Sequence, residues 1–384
     1  MKKTFTLIAP CHFGMESVLK REITDLGYET EEVTDGRVAF IGDEEAIARV
    51  NLFSRTAERI LLEAGRFHAE SFEDLFQGTK AIPWEDYLPK DARFWVAKAA
   101  SVGSKLFSPS DIQSVMKKAM AERMKSAYGI EWFPEDGADY PVRVFLHKDE
   151  VSVCLDTTGE SLHKRGYRKL TAKAPIAENL AAGLILLTPW KGDRILVDPF
   201  CGSGTFPIEA AMMAANLAPG RHREFLAMKW GGIVPESFWQ DACEEADDLA
   251  DLSVRTDIQG YDIDDEMVQI SRKNAQAAGV DHLIHFQRRS VAELRHAKKY
   301  GFLITNPPYG ERIGEQDEIR GLYETLGERF AALDSWSLYV ITSYEQAQEA
   351  IGRKAAKNRK IYNGMMKTYF YQFPGPKPPK SKQP

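Results

Sequence analysis

Apolar positions along the first sixty residues switch between two periods. "FTLIAP" has the nearly unbroken apolar character of a buried strand, and the run from Met15 to Leu26 repeats its apolar residues at helical spacing until Gly27 ends it. "RVAFIG", a helix over Asp43–Phe53 and "RILLEAGRF" follow, giving the order strand, helix, strand, strand, helix, strand. Residues 71–157 repeat a mixed texture, with helices near 71–81 and 109–127 and strands near 93–100, 142–147 and 151–155. Neither stretch carries a chemical motif, so these two small α+β modules are binding or positioning parts, or a structural cap.

From about residue 174 the segments lengthen. The pattern predicts helix 175–188, strand 194–198, helix 204–216, strand 257–262, helix 264–278, strands 283–287 and 302–306, helix 317–333 and strand 336–342. Strands alternating with helices of this length predict an α/β fold built on a parallel, doubly wound sheet. "RKIYNG" and "MKTYFYQF" read as a hairpin that adds an antiparallel strand to the sheet edge. The tail "PGPKPPKSKQP" has nothing to bury.

Composition narrows the function classes. The chain has 384 residues, 43% hydrophobic and 28% charged, which is ordinary for a folded protein of two or three domains. No apolar run reaches the roughly 18 to 20 residues of a membrane span, and the Met-Lys-Lys start turns polar too soon for a signal peptide, so a cytoplasmic protein without a membrane partner is expected. Cys11, Cys154, Cys201 and Cys243 form no C-x-x-C pair, which excludes a zinc ribbon or a disulfide framework, and no metal is expected. The net charge of −6 hides an asymmetry: residues 1–160 carry 28 acidic and 20 basic groups (−8), residues 161–384 carry 28 and 30 (+2). Basic charge clusters at Lys164, Arg165, Arg168, Lys169 and Lys173, and again at Arg353, Lys354, Lys357, Arg359 and Lys360. Each stripe either tracks a phosphate backbone or is a solvated face.

Three strand ends carry candidate chemistry. "RILVD" ends in Asp198 and runs into "PFCGSGTF", where Gly202 and Gly204 allow a sharp turn and close approach of a ligand to the backbone. A dinucleotide fingerprint would need a third glycine at Pro207, and a Walker lysine is lacking, which disfavours NAD and ATP. An acid followed by a G-x-G turn suits a ligand with a ribose and an amino-acid group. "DIQGYDID" places Asp262 at the next strand tip, where a carboxylate can accept both ribose hydroxyls, while Asp264 caps the following helix. Ser290 and the backbone of Val291 either read an adenine amine or cap a helix. "FLITNPPYGERIG" sets Asn306-Pro307-Pro308-Tyr309 at the carboxyl edge of a further strand. Prolines have no N–H, so the Asn306 side-chain oxygen and the Pro307 carbonyl can both accept from one planar exocyclic amine, with Tyr309 as a stacking face.

"LVDPFCGSGTFPIEAAMMA" and "ITNPPYGERIG" resemble motifs I and IV of the class I S-adenosylmethionine-dependent methyltransferases that modify exocyclic amines. "LHKRGYRKLTAKAPIAENLAAGLILLTPW" and the opening "CHFGMESVLKREITDLG" are similar to one branch, the bacterial ribosomal-RNA guanine-N2 methyltransferases with an N-terminal THUMP domain. The resemblance implies a ferredoxin-like module over 1–60, a THUMP RNA-binding domain over 61–160, a Rossmann-like methyltransferase domain over 161–374 and a tail over 375–384. It implies S-adenosylmethionine as cofactor, with Asp198, Cys201, Gly202, Gly204 and Thr205 at its methionine end. Asp262 and Ile263 would meet the ribose, Ser290 and Val291 the adenine, and Asn306 through Tyr309 the target amine, Asn306 also bordering the cofactor. Many relatives carry Asp where this chain has Ser290. Structured RNA, ribosomal above all, is the implied partner, held in part by Lys164, Arg165, Tyr167, Arg168 and Lys169; the helix from Pro175, with Glu178 and Asn179, would close one side of the cofactor site. The implied activity is methylation of a guanosine N2, with 23S rRNA as the expected target; adenine-N6 methylation of DNA or RNA, tRNA guanine-N2 methylation and a non-catalytic RNA-binding role stay open. Nothing in the chain indicates an oligomeric state.

Overall fold

The computed structural model describes residues 3–168, 175–309, 316–364 and 366–379. The first module runs β1 (Phe5–Pro10), α1 (Glu16–Asp25), β2 (Thr30–Thr34), β3 (Arg37–Gly42), α2 (Glu44–Phe53) and β4 (Leu61–His68). The second runs α3 (Phe72–Ala81), β5 (Arg93–Val102), α4 (Pro109–Tyr128), β6 (Asp139–His147) and β7 (Glu150–Asp156). Local chemistry sets these ends. The Asp43 side chain accepts from the Ala46 N–H to start α2, Ser71 and Asp74 form a reciprocal capping box on α3, and Gly129 closes α4 at a left-handed φ of 63°.

The two modules share one sheet. Its order is β2-β3-β1-β4-β7-β6-β5, and β4 pairs with β1 on one side and β7 on the other. β4 therefore belongs to both modules, which a reading of separate units does not convey.

The remaining elements are α5 (Glu178–Leu186), β8 (Leu196–Asp198), α6 (Thr205–Ala214), α7 (Glu236–Leu249), β9 (Ile258–Asp262), α8 (Asp265–Ala277), β10 (Ile284–Arg288), β11 (Phe302–Thr305), α9 (Gln316–Ala331), β12 (Ser337–Thr342), α10 (Ala347–Ala350), β13 (Lys357–Asn363) and β14 (Met366–Phe373). They build a second sheet in the order β10-β9-β8-β11-β12-β14-β13. Pairing is parallel from β10 to β12 and antiparallel at β14 and β13. Strands β8, β11 and β12 are buried at every position, as strands covered by helices on both faces must be. The strand order reverses beside β8, so a crevice opens at the carboxyl ends of β8 and β11. The expected doubly wound sheet is thus present, and the expected hairpin adds β14 and then β13 antiparallel at its edge. α7 and α10 were not anticipated. α7 buries only Trp239, Ala242 and Ala246 behind an acidic outer face, a thin apolar stripe that its charge obscures.

The segment 217–256 binds the two halves together. Trp230 stacks on Tyr140 at 4.6 Å with an interplanar angle of 12°, and its Nε1–H donates to the Asp139 carbonyl at 2.9 Å. Arg49 of α2 makes a two-pronged ion pair with Glu245 of α7, both contacts at 2.6 Å. Trp230 and Trp239 are buried, so this segment joins the modules with its tryptophans turned inward. Among the described residues no helix is long and apolar enough to cross a membrane.

Candidate active site

β8 delivers Asp198 to the crevice and the chain then turns through Gly202 (φ 50°) and Gly204 (φ 88°) into α6. Gly204 is required by space as well as by φ, since a Cβ there would lie 2.9 Å from the Ser271 Cβ. A Cβ on Gly202 would meet nothing within 4 Å, so its face is open to a ligand. The loop is tied to the tip of β9: the Cys201 N–H donates to the Tyr261 carbonyl at 2.8 Å, and the Gly202 N–H to Asp262 Oδ2 at 2.9 Å. Asp262 Oδ1 accepts from the Asp264 N–H at 3.0 Å, and Asp264 itself caps α8 by accepting from the Glu266 N–H at 2.8 Å. Burial raises the Asp262 carboxyl above its ordinary value. Next to it the Ile263 side chain is 68% exposed, an apolar surface left beside a carboxylate.

Asp198 is 1% exposed, and burial pushes its carboxyl up to about 7. Its Oδ1 accepts from the Thr305 hydroxyl at 2.5 Å and from the Phe200 N–H at 3.1 Å. Thr305 ends β11, so this bond locks the tip of β8 to the residue preceding Asn306. The two strand ends singled out by the sequence therefore converge, and Thr305 is the joint that sequence reasoning missed. Beyond it the Tyr309 hydroxyl donates to Asn306 Oδ1, holding the amide in place. Pro307 is buried and Pro308 exposed, its carbonyl accepting from the Tyr323 hydroxyl at 3.3 Å. Tyr323, on α9, also bonds the Thr342 hydroxyl at 2.6 Å.

The other candidates divide. Thr205 is buried at the start of α6, with Arg168 Nη1 3.5 Å from its hydroxyl. Burial raises the Cys201 thiol well above its usual range, which leaves it inert. Ser290 acts as a turn cap: its Oγ accepts from the Ala292 N–H at 3.3 Å, and Glu293 accepts from its own N–H at 3.3 Å. Val291 is buried in the apolar cluster under α9.

The basic stripe is corrected at its centre. Arg165 is buried beside Glu209, 3.6 Å away, and donates to the Leu162 and Arg55 carbonyls, both at 2.5 Å. Tyr167 is buried too, its hydroxyl donating to Glu209 Oε1 at 3.0 Å. The reason is the cost of burying the Glu209 carboxylate on α6, which demands a cation and a donor beside it. Neither residue is available to RNA. Arg168 likewise turns inward, to the Ile176 carbonyl at 2.7 Å and Glu178 at 2.9 Å. Lys164 remains exposed, paired with Glu160 at 2.8 Å, while Lys169 and Lys173 lie outside the described residues. Glu178 borders the loop through Arg168, its carboxyl raised to about 7 by burial. Asn179 does not: its amide sits between His12 Nε2 at 3.2 Å and the Ala57 carbonyl at 3.4 Å.

Comparison with known proteins matches residues 165–372 to a family model described as an RMKL-like methyltransferase domain, more than half of the chain. The chain belongs to the RMKL-like methyltransferases. Residues 6–61 of this methyltransferase match an RlmL ferredoxin-like domain and residues 69–156 a THUMP domain. It is 44% identical to a Bacillus subtilis (strain 168) protein, YpsC, whose name provisionally makes it an RNA methyltransferase, over 97% of this chain and 96% of that protein. It is 33% identical to the ribosomal RNA large subunit methyltransferase K/L of Cellvibrio japonicus over 95% of this chain, spanning 50% of that longer protein. The structure of SMU.472, a protein provisionally described as a methyltransferase and solved with SAH bound, superposes at a TM-score of 0.92 with 43% identity, covering 98% of this chain and 100% of that chain. The fold is that of the class I methyltransferases, and S-adenosylmethionine is the methyl donor. The residues fit that group: two carboxylates, an open glycine turn and the exposed Ile263 supply sites for an ammonium, a ribose and a flat ring. Among the described residues no group of three His, Cys, Asp or Glu side chains could hold a metal ion.

Proposed function

We propose that this methyltransferase modifies the exocyclic N2 amine of a guanosine in RNA, with 23S rRNA as the substrate. The observation that carries the reading is the Thr305–Asp198 bond, which brings the Asn-Pro-Pro-Tyr segment to the mouth of the glycine turn. The THUMP and ferredoxin-like matches and the names of YpsC and the K/L enzyme support RNA as the substrate class.

When bound, S-adenosylmethionine supplies an electrophilic methyl carbon on a sulfonium. Asp198 holds the amino-acid end of that group and Asp262 its ribose, while Ile263 and the Ser290–Val291 turn border the adenine. Asn306 Oδ1 has a lone pair beyond the one taken by Tyr309, and with the Pro307 carbonyl it accepts from the target amine. Two acceptors on one amine favour the pyramidal nitrogen that attacks carbon, so the chain contributes alignment and electrostatics rather than a strong base. The target base reaches this pocket unpaired or flipped.

Asn306→Ala is expected to abolish turnover while S-adenosylhomocysteine affinity stays within about threefold of the native value, because the lost contact is to the acceptor amine. Incubation with labelled cofactor and separate rRNA, tRNA and duplex DNA, followed by nucleoside analysis, tests the substrate. Label in N6-methyladenosine or in DNA would refute the guanosine reading.

A further inference from the structure

The hairpin of β13 and β14 carries a second surface on the same edge of the sheet as the site. β14 runs beside β12 with Thr342 opposite Tyr369, and β11 runs beside β12 with Thr305 opposite Val340. Tyr369 therefore lies at the level of Asn306 and Pro307, two strands away, a lateral distance of about 10 Å at the usual strand spacing. β13 extends the sheet by one more strand, with Lys360 opposite Tyr369 and Tyr362 opposite Lys367. Side chains alternate between the faces of a strand, so these four share one face.

On that face cation and ring alternate. Lys360 Nζ lies 5.1 Å from the Tyr362 ring centre, and Lys367 Nζ lies 5.1 Å from that of Tyr369. Both lysines are exposed and both tyrosines half-buried, whereas Ile361, Thr368 and Phe370 on the opposite face are completely buried. Phe13 of the first module closes the end of the row, 41% exposed and edge-on to Tyr362 at 6.1 Å. Its loop is held there by the contact of His12 Nδ1 with the Tyr362 carbonyl at 3.2 Å and by Arg359, which donates to the Gly14 carbonyl at 3.1 Å. Further into the sheet on the same face Tyr371, 6.0 Å from Tyr369, is buried in the cluster under α9, so the open part of the row ends at Tyr369. An exposed acid, Glu345, flanks Lys367 and Tyr371. Charge on an edge strand guards against strand addition, which accounts for Lys357. It does not account for rings held half-open between lysines.

We propose that this face receives the unpaired nucleotides flanking the target base, the rings stacking on bases and the lysines meeting phosphates. The proposal rests on the RNA reading above. The test uses the full chain saturated with S-adenosylhomocysteine and a labelled single-stranded RNA decamer, followed by fluorescence anisotropy across a salt series. Tyr362→Leu and Tyr369→Leu should each weaken binding about tenfold, and the Tyr→Phe variants should stay near native, because stacking needs the ring. The double variant Lys360→Ala/Lys367→Ala should reduce the steepness of the salt dependence by about 1.4, two single-strand phosphates' worth. S-adenosylhomocysteine affinity serves as the control for folding and should not move in any variant. Equal losses in the Leu and Phe variants, or native affinity and salt slope throughout, would overturn the platform. If the native protein methylates RNA while every variant binds the decamer as it does, only the platform fails. If the native protein neither binds nor methylates RNA, the substrate reading fails and the platform with it.

Discussion

Asp198 predicts a pH dependence of cofactor binding. Burial holds its carboxyl at about 7 in the ligand-free protein, so near neutrality roughly half of the molecules carry a neutral group where an ammonium is to be held. Only the ionised form attracts the ammonium, so the apparent dissociation constant scales as one plus the ratio of protonated to ionised carboxyl. Between pH 7.5 and 5.5 that factor is about 25, or ~1.9 kcal/mol. Calorimetric titration of S-adenosylhomocysteine over this interval, in two buffers of different ionisation heat, should show affinity falling with acid and about half a proton released per ligand bound at pH 7. Asp198→Asn should bind more weakly at pH 7.5 and lose the slope. Flat affinity in the native protein, or the same slope in the Asn variant, would refute the reasoning. Linkage fixes the sign for stability as well: the raised folded value means that the native state binds more protons than the unfolded one between about pH 4 and 7, so the free protein loses stability as pH rises through that window.

Thr305→Val removes the 2.5 Å hydroxyl bond that favours ionised Asp198, so the midpoint of the affinity profile should move to higher pH, with a loss of about 1–3 kcal/mol in urea unfolding at pH 8. Arg165→Met leaves Glu209 buried without its cation and should cost about 3–5 kcal/mol of stability, while RNA affinity measured well below the melting temperature stays native. A parallel loss of RNA affinity would restore Arg165 to the interface. Trp230→Ala removes the stack on Tyr140 and should cost about 3–5 kcal/mol, with scanning calorimetry resolving two transitions as the halves unfold separately.

The active edge was legible because a parallel sheet leaves little choice. Once strands alternate with helices, every acid or amide at a strand's carboxyl end faces one crevice, and Asp198, Asp262 and Asn306 all sit at such ends. What escaped was each contact that joins distant segments. Thr305 reads as one more β-branched residue in a buried strand, and only the register of β11 beside β8 turns its hydroxyl toward Asp198. The shared sheet escaped for a similar reason, since β4 closes one apolar pattern and opens the next without any change in its own sequence.

The basic stripe is the instructive failure, because a signal against it was present in another part of the chain. Arginines usually face water, so "HKRGYRK" alone reads as a surface. The helix α6, however, is "TFPIEAAMMA", apolar around its circumference apart from Glu209. A helix of that composition is buried on all sides, and an acid within it must find a cation and a hydrogen-bond donor or lose its charge. In a chain whose neighbouring segment offers Arg165 and Tyr167, the lone acid names its partners. Arg165 and Tyr167 thus anchor the entry segment to the helix that carries the glycine turn, and Arg168 is taken up by Glu178 in the same way.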